Sequence, residues 1–192
     1  AYEMSASLVG SEMCIRDSPC KLLIATSNWL KMNHSATANE IIEVTQEELS
    51  RASLQKTPQE VLAVFVQPSY DLNPEVIKSS LCLALDDVQD PGNLGTIIRL
   101  ADWFGIEHIF CSTGTADVYN PKTVQATMGA LARVKVHYCS LPQLIESLTD
   151  IPVYGTFLNG NIIYTESLSA HGLIVMGNEG KGAVSYTHLR AH

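Results

Sequence analysis

Short apolar runs alternate with segments of helical spacing through the second half of the chain, and no other feature narrows the choice of fold as far. The runs at 81–88, 108–112, 134–139, 153–158 and 173–176 are strand-sized, and the stretches at 93–103, 121–131 and 142–148 carry apolar residues at helical intervals. Strands covered on both faces read as continuous apolar runs, so the alternation predicts an α/β fold, a parallel sheet with helices on both faces. Ligands of such sheets bind outside the carboxyl ends of the strands. Two glycine-rich turns fall there, at 89–95 and 177–182.

Upstream the pattern is shorter and mixed. Leu22-Leu23-Ile24 is followed by a polar stretch through Asn39 and then by Ile41-Ile42-Glu43-Val44. Thr45 and Glu48 have the spacing of a capping box and predict a short helix over 46–53. Pro58 breaks it, 61–66 reads as a buried strand, and 68–74 is rich in turn formers. The division expected is a small N-terminal unit with its linker at 19–66, and the alternating domain at 67–183. The two ends stand apart from both. Residues 1–18, with SLVGSEMCIRDS, and 184–192, VSYTHLRAH, share no periodicity with their neighbours and resemble translated sequencing-adapter read-through. Neither has the charged, apolar and cleavage regions of a signal peptide, and both are expected to be foreign.

The net charge is -8, and without the two ends 10 cations still face 17 anions. Proteins that bind phosphate backbones usually carry a basic surface, so a nucleic-acid partner would require a local basic patch or help from a second subunit. Cys14, Cys20, Cys82, Cys111 and Cys139 form no CxxC pair and are odd in number. That favours unpaired thiols in a reducing cytoplasm over a disulfide framework or a zinc site. His34, His108, His137 and His171 have no coordinating partners at ligand spacing, so no metal is expected. No apolar run reaches the roughly 18 residues of a membrane span.

In the first turn, Asn93 follows Asp90-Pro91-Gly92 as a candidate N-cap, and Leu94, Ile97, Ile98 and Ala101 form a buried stripe. Arg99 stands at the edge of that stripe. An arginine so placed can snorkel to a surface carboxylate, or it can present a fixed cation to the crevice. In the second turn, Gly177, Gly180 and Gly182 would let backbone amides approach a ligand, although a tight turn reads the same way. Neither turn has the GxGxxG or GxxxxGK[ST] spacing of nucleotide loops, which speaks against a dehydrogenase.

Taken as a pair, DPGNLGTIIRLADWFGI and IVMGNEGKG resemble the first two of the three motifs of the SpoU family, the TrmH-like RNA 2′-O-ribose methyltransferases of the SPOUT superfamily. Asn120-Pro121-Lys122, Met128-Gly129-Ala130-Leu131 and Thr57-Pro58-Gln59 fit the same pattern, so the likeness runs from about residue 48 to 182. The resemblance implies a parallel sheet whose C-terminal segment threads into a trefoil knot, a homodimer, and S-adenosylmethionine as methyl donor to a ribose 2′-hydroxyl of rRNA or tRNA. It implies Arg99, Asn93 and Glu179 as catalytic residues, and main-chain groups of Gly155, Thr156, Gly177, Asn178 and Gly180 as the cofactor contacts. A third motif would follow Gly182, where VSYTHLRAH stands instead, so the knot segment is expected to be truncated. A non-catalytic RNA-binding protein, or an inactive fragment of the same fold, is the alternative. Arg99 would act as a cation that orients the hydroxyl and lowers its pKa, because a guanidinium donates hydrogen bonds and does not accept them.

Overall fold

Two sheets organise the chain in the computed structural model, which describes residues 20–53, 57–66, 68, 70–155 and 169–177. The elements run β1 (Cys20–Ala25), α1 (Ser27–Met32), β2 (Glu40–Glu43), α2 (Gln46–Ala52), β3 (Val61–Phe65), α3 (Val76–Ser79) and β4 (Leu81–Leu85). They continue with α4 (Pro91–Trp103), β5 (His108–Cys111), α5 (Pro121–Thr127), β6 (Lys135–Tyr138), α6 (Leu141–Ser147), β7 (Val153–Gly155) and β8 (Gly172–Met176). The first sheet has the order β2-β1-β3, with β1 parallel to β2 and antiparallel to β3. The second has the order β6-β5-β4-β8-β7 and is parallel throughout.

The expected α/β architecture is the one observed. Alternate residues of the large sheet face opposite ways: Leu83, Leu85, Ile109 and Cys111 pack with Leu94, Ile98 and Ala101 of α4. Cys82, Ala84 and Phe110 pack on the other face with Ile77 of α3 and Leu141, Leu144 and Ile145 of α6. Helices therefore cover both faces, as continuous apolar strands require. A separate, smaller cluster around Leu23 and Ala63 fills the first sheet.

Several bounds differ from the sequence reading, each for a local reason. The strand expected over 81–88 ends at Leu85, where Asp87 takes a left-handed φ of 57°. The helix expected over 121–131 stops at Thr127 because Met128 and Gly129 take φ values of 48° and 87°; a short 3₁₀ turn, Ala130–Ala132, follows. Helices α1 and α3 carry no apolar periodicity in the sequence to announce them. Thr26 Oγ1 accepts from the Trp29 amide at 3.3 Å to open the first, and Asn73 Oδ1 accepts from the Glu75 amide at 3.0 Å ahead of the second. The Thr45 capping box forms as expected, with Glu48 Oε2 accepting from the Thr45 amide at 2.9 Å.

His137 lies buried on β6, with its Nε2 3.1 Å from Nδ1 of His108 on β5 and its ring stacked on Phe110 at 5.1 Å. Tyr70, from the connection between the sheets, meets the same ring edge-on. Burial, with His108 and Lys135 nearby, pushes the His137 imidazole down to about 4. Cys20, Cys82, Cys111 and Cys139 are unpaired thiols, and burial pushes Cys111 up to about 12. Among the described residues no helix is long and apolar enough to cross a membrane. The expected knot segment beyond Gly182 and the two suspected foreign ends lie outside the described residues.

Candidate active site

The carboxyl edge of the large sheet brings the first glycine-rich turn close to Gly177, the described residue of the second. Strand order reverses at β4, whose neighbours are β5 on one side and β8 on the other, and the carboxyl ends of β4 and β8 flank the position at which sheets of this kind bind ligands. Leu85 pairs with Met176 and Gly155 with Val175, and the Asp86 amide donates to the Met176 carbonyl at 2.8 Å. Gly155 and Gly177 therefore leave adjacent strands beside the start of the β4–α4 loop.

That loop is tied down residue by residue. The Asp87 amide donates to Ser112 Oγ at 2.9 Å, and Gln89 Nε2 donates to Asp87 Oδ1 at 3.1 Å. Asp90 caps α4, its Oδ1 accepting from the Asn93 amide at 2.8 Å. The expected N-cap, Asn93, is thus corrected: Pro91 begins the helix, where its missing amide hydrogen costs nothing, and Asn93 stands inside the first turn with its side chain exposed. Lys122 Nζ donates to Asp90 Oδ2 at 2.9 Å, and with the Asn93 amide it holds the Asp90 carboxyl below its usual range. Gly92 is needed at this crossing, since a Cβ there would lie 2.9 Å from Asp90 Oδ1 and 3.4 Å from Lys122 Cε.

Helix α5 packs along α4 at close range. A Cβ on Gly95 would lie 2.6 Å from both the Thr123 carbonyl and the Ala126 Cβ. Beyond this contact Arg99, an exposed residue, donates from Nη1 to Met128 Sδ at 3.0 Å. Of the two readings open for Arg99, no surface carboxylate pairs with it among the described residues. Tyr138 braces the approach to α5, accepting from the Val118 amide at 2.8 Å and donating to the Ala116 carbonyl.

Asn93 and Arg99 therefore share α4, and Gly155 and Gly177 share the neighbouring strand ends. Glu179, Thr156, Asn178 and Gly180 lie outside the described residues. Among the described residues no cluster of metal-ligating side chains occurs. The described glycines suit a small ligand lying over the strand ends: Gly155 is exposed, Gly177 is half-buried, and neither has a side chain to obstruct it. Lys122 and Met128 join the site in the structure, beyond the residues that the sequence marks as candidates. The signal was present in Asn120-Pro121-Lys122, a capped helix start with a lysine in its first turn.

The model of the SpoU rRNA Methylase family matches residues 80–191. The 23S rRNA (guanosine(2553)-2′-O)-methyltransferase RlmP of Bacillus subtilis is 34% identical over 142 residues, which are 72% of this chain and 56% of that protein. The chain thus spans little more than half of that relative. A solved TrmH-family protein from Porphyromonas gingivalis superposes with a TM-score of 0.79 at 40% identity, covering 93% of this chain and 72% of that one. The SpoU methyltransferase AviRb from Streptomyces viridochromogenes, in complex with AdoMet, superposes with a TM-score of 0.77 at 25% identity, covering 92% of this chain and 73% of that one.

Proposed function

Because the chain belongs to the SpoU rRNA methylase family, we propose that it transfers a methyl group from S-adenosylmethionine to a ribose 2′-hydroxyl of RNA, with ribosomal RNA as the substrate class. The observation that carries this reading is the convergence at one sheet edge. There the capped Asp90–Asn93 turn opens the helix bearing Arg99, beside the glycines that end β7 and begin the loop after β8.

Gly155 and Gly177, with Thr156, Asn178 and Gly180, are the residues we assign to the cofactor, through main-chain groups. The cofactor supplies an electrophilic methyl on a sulfonium centre. The chain's own task is to align the ribose and stabilise the charge that develops on its oxygen. Arg99 is the cation for that task, and we assign Asn93 and Glu179 to hold it and the substrate by hydrogen bonds. A group of the RNA takes the hydroxyl proton, because the guanidinium cannot accept one.

We assign the first sheet and its helices, within 19–66, to RNA positioning, and 67–183 to methyl transfer. Unpaired thiols agree with a cytoplasmic setting. A homodimer is the assembly we assign, supported by exposed Leu100, Trp103 and Phe104 at the end of α4.

In the full-length protein, Arg99→Ala is expected to lower ribose methylation by at least about a hundredfold while leaving S-adenosylmethionine affinity nearly intact. A methylation assay paired with calorimetry reads both quantities. Full activity of Arg99→Ala removes Arg99 from the mechanism. Absence of cofactor binding in the parent protein favours a non-catalytic RNA-binding protein instead.

A further inference from the structure

The guanidinium of Arg99 is an exposed, flexible group that must be held still to be useful, and its partner among the described residues is unusual. Met128 Sδ accepts from Arg99 Nη1 at 3.0 Å, and Met128 is itself 63% exposed. Core packing does not account for where this side chain sits. Its backbone is left-handed, φ 48° and ψ 39°, a conformation that a non-glycine residue adopts at a cost. Gly129 follows in the same region, φ 87°, so the chain turns sharply off the end of α5 and carries Met128 toward α4. The platform beneath is fixed at two further points. Lys122 grips Asp90 at one end of the helix pair, and the side-chain-free surface of Gly95 fits against Thr123 and Ala126 in the middle.

We infer that Met128 is a positioning residue for Arg99, and that a thioether serves there because it orients the guanidinium without neutralising it. This rests on the methyl-transfer role of Arg99 proposed above. A thioether sulfur is a weak hydrogen-bond acceptor with no formal charge. A carboxylate at the same place would bind the guanidinium more tightly, but its negative charge would oppose the field that Arg99 presents to a developing oxyanion. A hydrocarbon would leave the long side chain free to sample its rotamers. The sulfur lies between these extremes.

Three substitutions separate these effects, and exposure of the site makes each compatible with folding. Met128→Leu keeps the bulk and removes the acceptor. Met128→Gln keeps a neutral acceptor, and Met128→Glu supplies a charged one. In the full-length protein, kcat is expected to fall about tenfold for Leu, to stay within about threefold of the parent for Gln, and to fall about a hundredfold for Glu, with KM for the cofactor unchanged. The independent readout is rotation of the Arg99 guanidinium about its Cζ–Nε bond, followed by nitrogen-15 NMR without cofactor or RNA. Rotation is expected to be slowed in the parent, Gln and Glu proteins and fast in Leu. Equal rotation in parent and Leu overturns the positioning role, whatever the turnover. A Glu variant as active as Gln overturns the argument for a neutral acceptor. Undiminished activity of Arg99→Ala overturns the methyl-transfer role of Arg99 alone, and the NMR comparison still decides whether Met128 holds it.

Discussion

His137 shows what burial of one titratable group demands of the rest. Its ring is stacked on Phe110, touched by Tyr70, and paired to His108 through a hydrogen bond in which one ring nitrogen must donate and the other accept. That bond suits two neutral imidazoles, and the folded state holds His137 down at about 4 against an ordinary histidine near 6.5. The unfolded chain therefore binds the proton more readily than the folded one. The contribution of this group to stability is full above about pH 6.5 and is lost progressively as the pH falls toward 4. Thermal denaturation is expected to show a falling midpoint across that window, and His137→Phe, which removes the titration, is expected to flatten it; an unchanged slope in the variant assigns the acid sensitivity elsewhere. Asp90 and Arg99 illustrate what was legible at this scale. Both stand in a string whose turn-forming and apolar residues announce a helix start, yet the capping role falls to Asp90 because Pro91 occupies the first helical position. Met128 could not have been read in advance, since its contact with Arg99 spans 29 positions and depends on how two helices dock.

Helices α4 and α5 behave as one element. Their separation is set by Gly95, where an added methyl group would press on a backbone carbonyl and on the Ala126 side chain at 2.6 Å. Neither neighbour is the movable end of a long side chain. Gly95→Ala is accordingly expected to destabilise the fold by about 1–3 kcal/mol, although alanine is the better helix former. Urea denaturation measures this directly; a more stable variant would mean that the helices part without cost. The sequence made the type and order of the elements from β4 to β8 readable, because apolar runs of strand length and stripes of helical spacing are strong signals. It hid α1 and α3, which are only 6 and 4 residues long, too short for apolar periodicity to show; α1 is opened by the Thr26 side-chain cap and α3 has no side-chain cap. It also overstated α5, whose end depends on left-handed backbone at Met128 and Gly129.

At the scale of the whole molecule, composition argued against a nucleic-acid partner, and of the net charge of -8 all but one unit remains when the atypical ends are set aside, 10 cations against 17 anions. A net charge averages over the surface, whereas recognition depends on where a few cations stand. The apolar surface is more specific. Trp103 and Phe104, the last residue of the helix that bears Arg99 and its C-cap, are 83% and 74% exposed, an unusual amount of aromatic area to leave in water. Sedimentation is expected to show a dimer for the full-length protein and a shift toward monomer for Trp103→Asp; a parent protein that sediments as a monomer removes the assigned assembly. The order of the large sheet also sets a timetable. β8 lies between β4 and β7 and is the last strand of the described chain to be synthesised. One side of β4 therefore stays unzipped while everything from α4 to β7 leaves the ribosome, and the newborn protein carries an open, apolar slot until β8 arrives to close it.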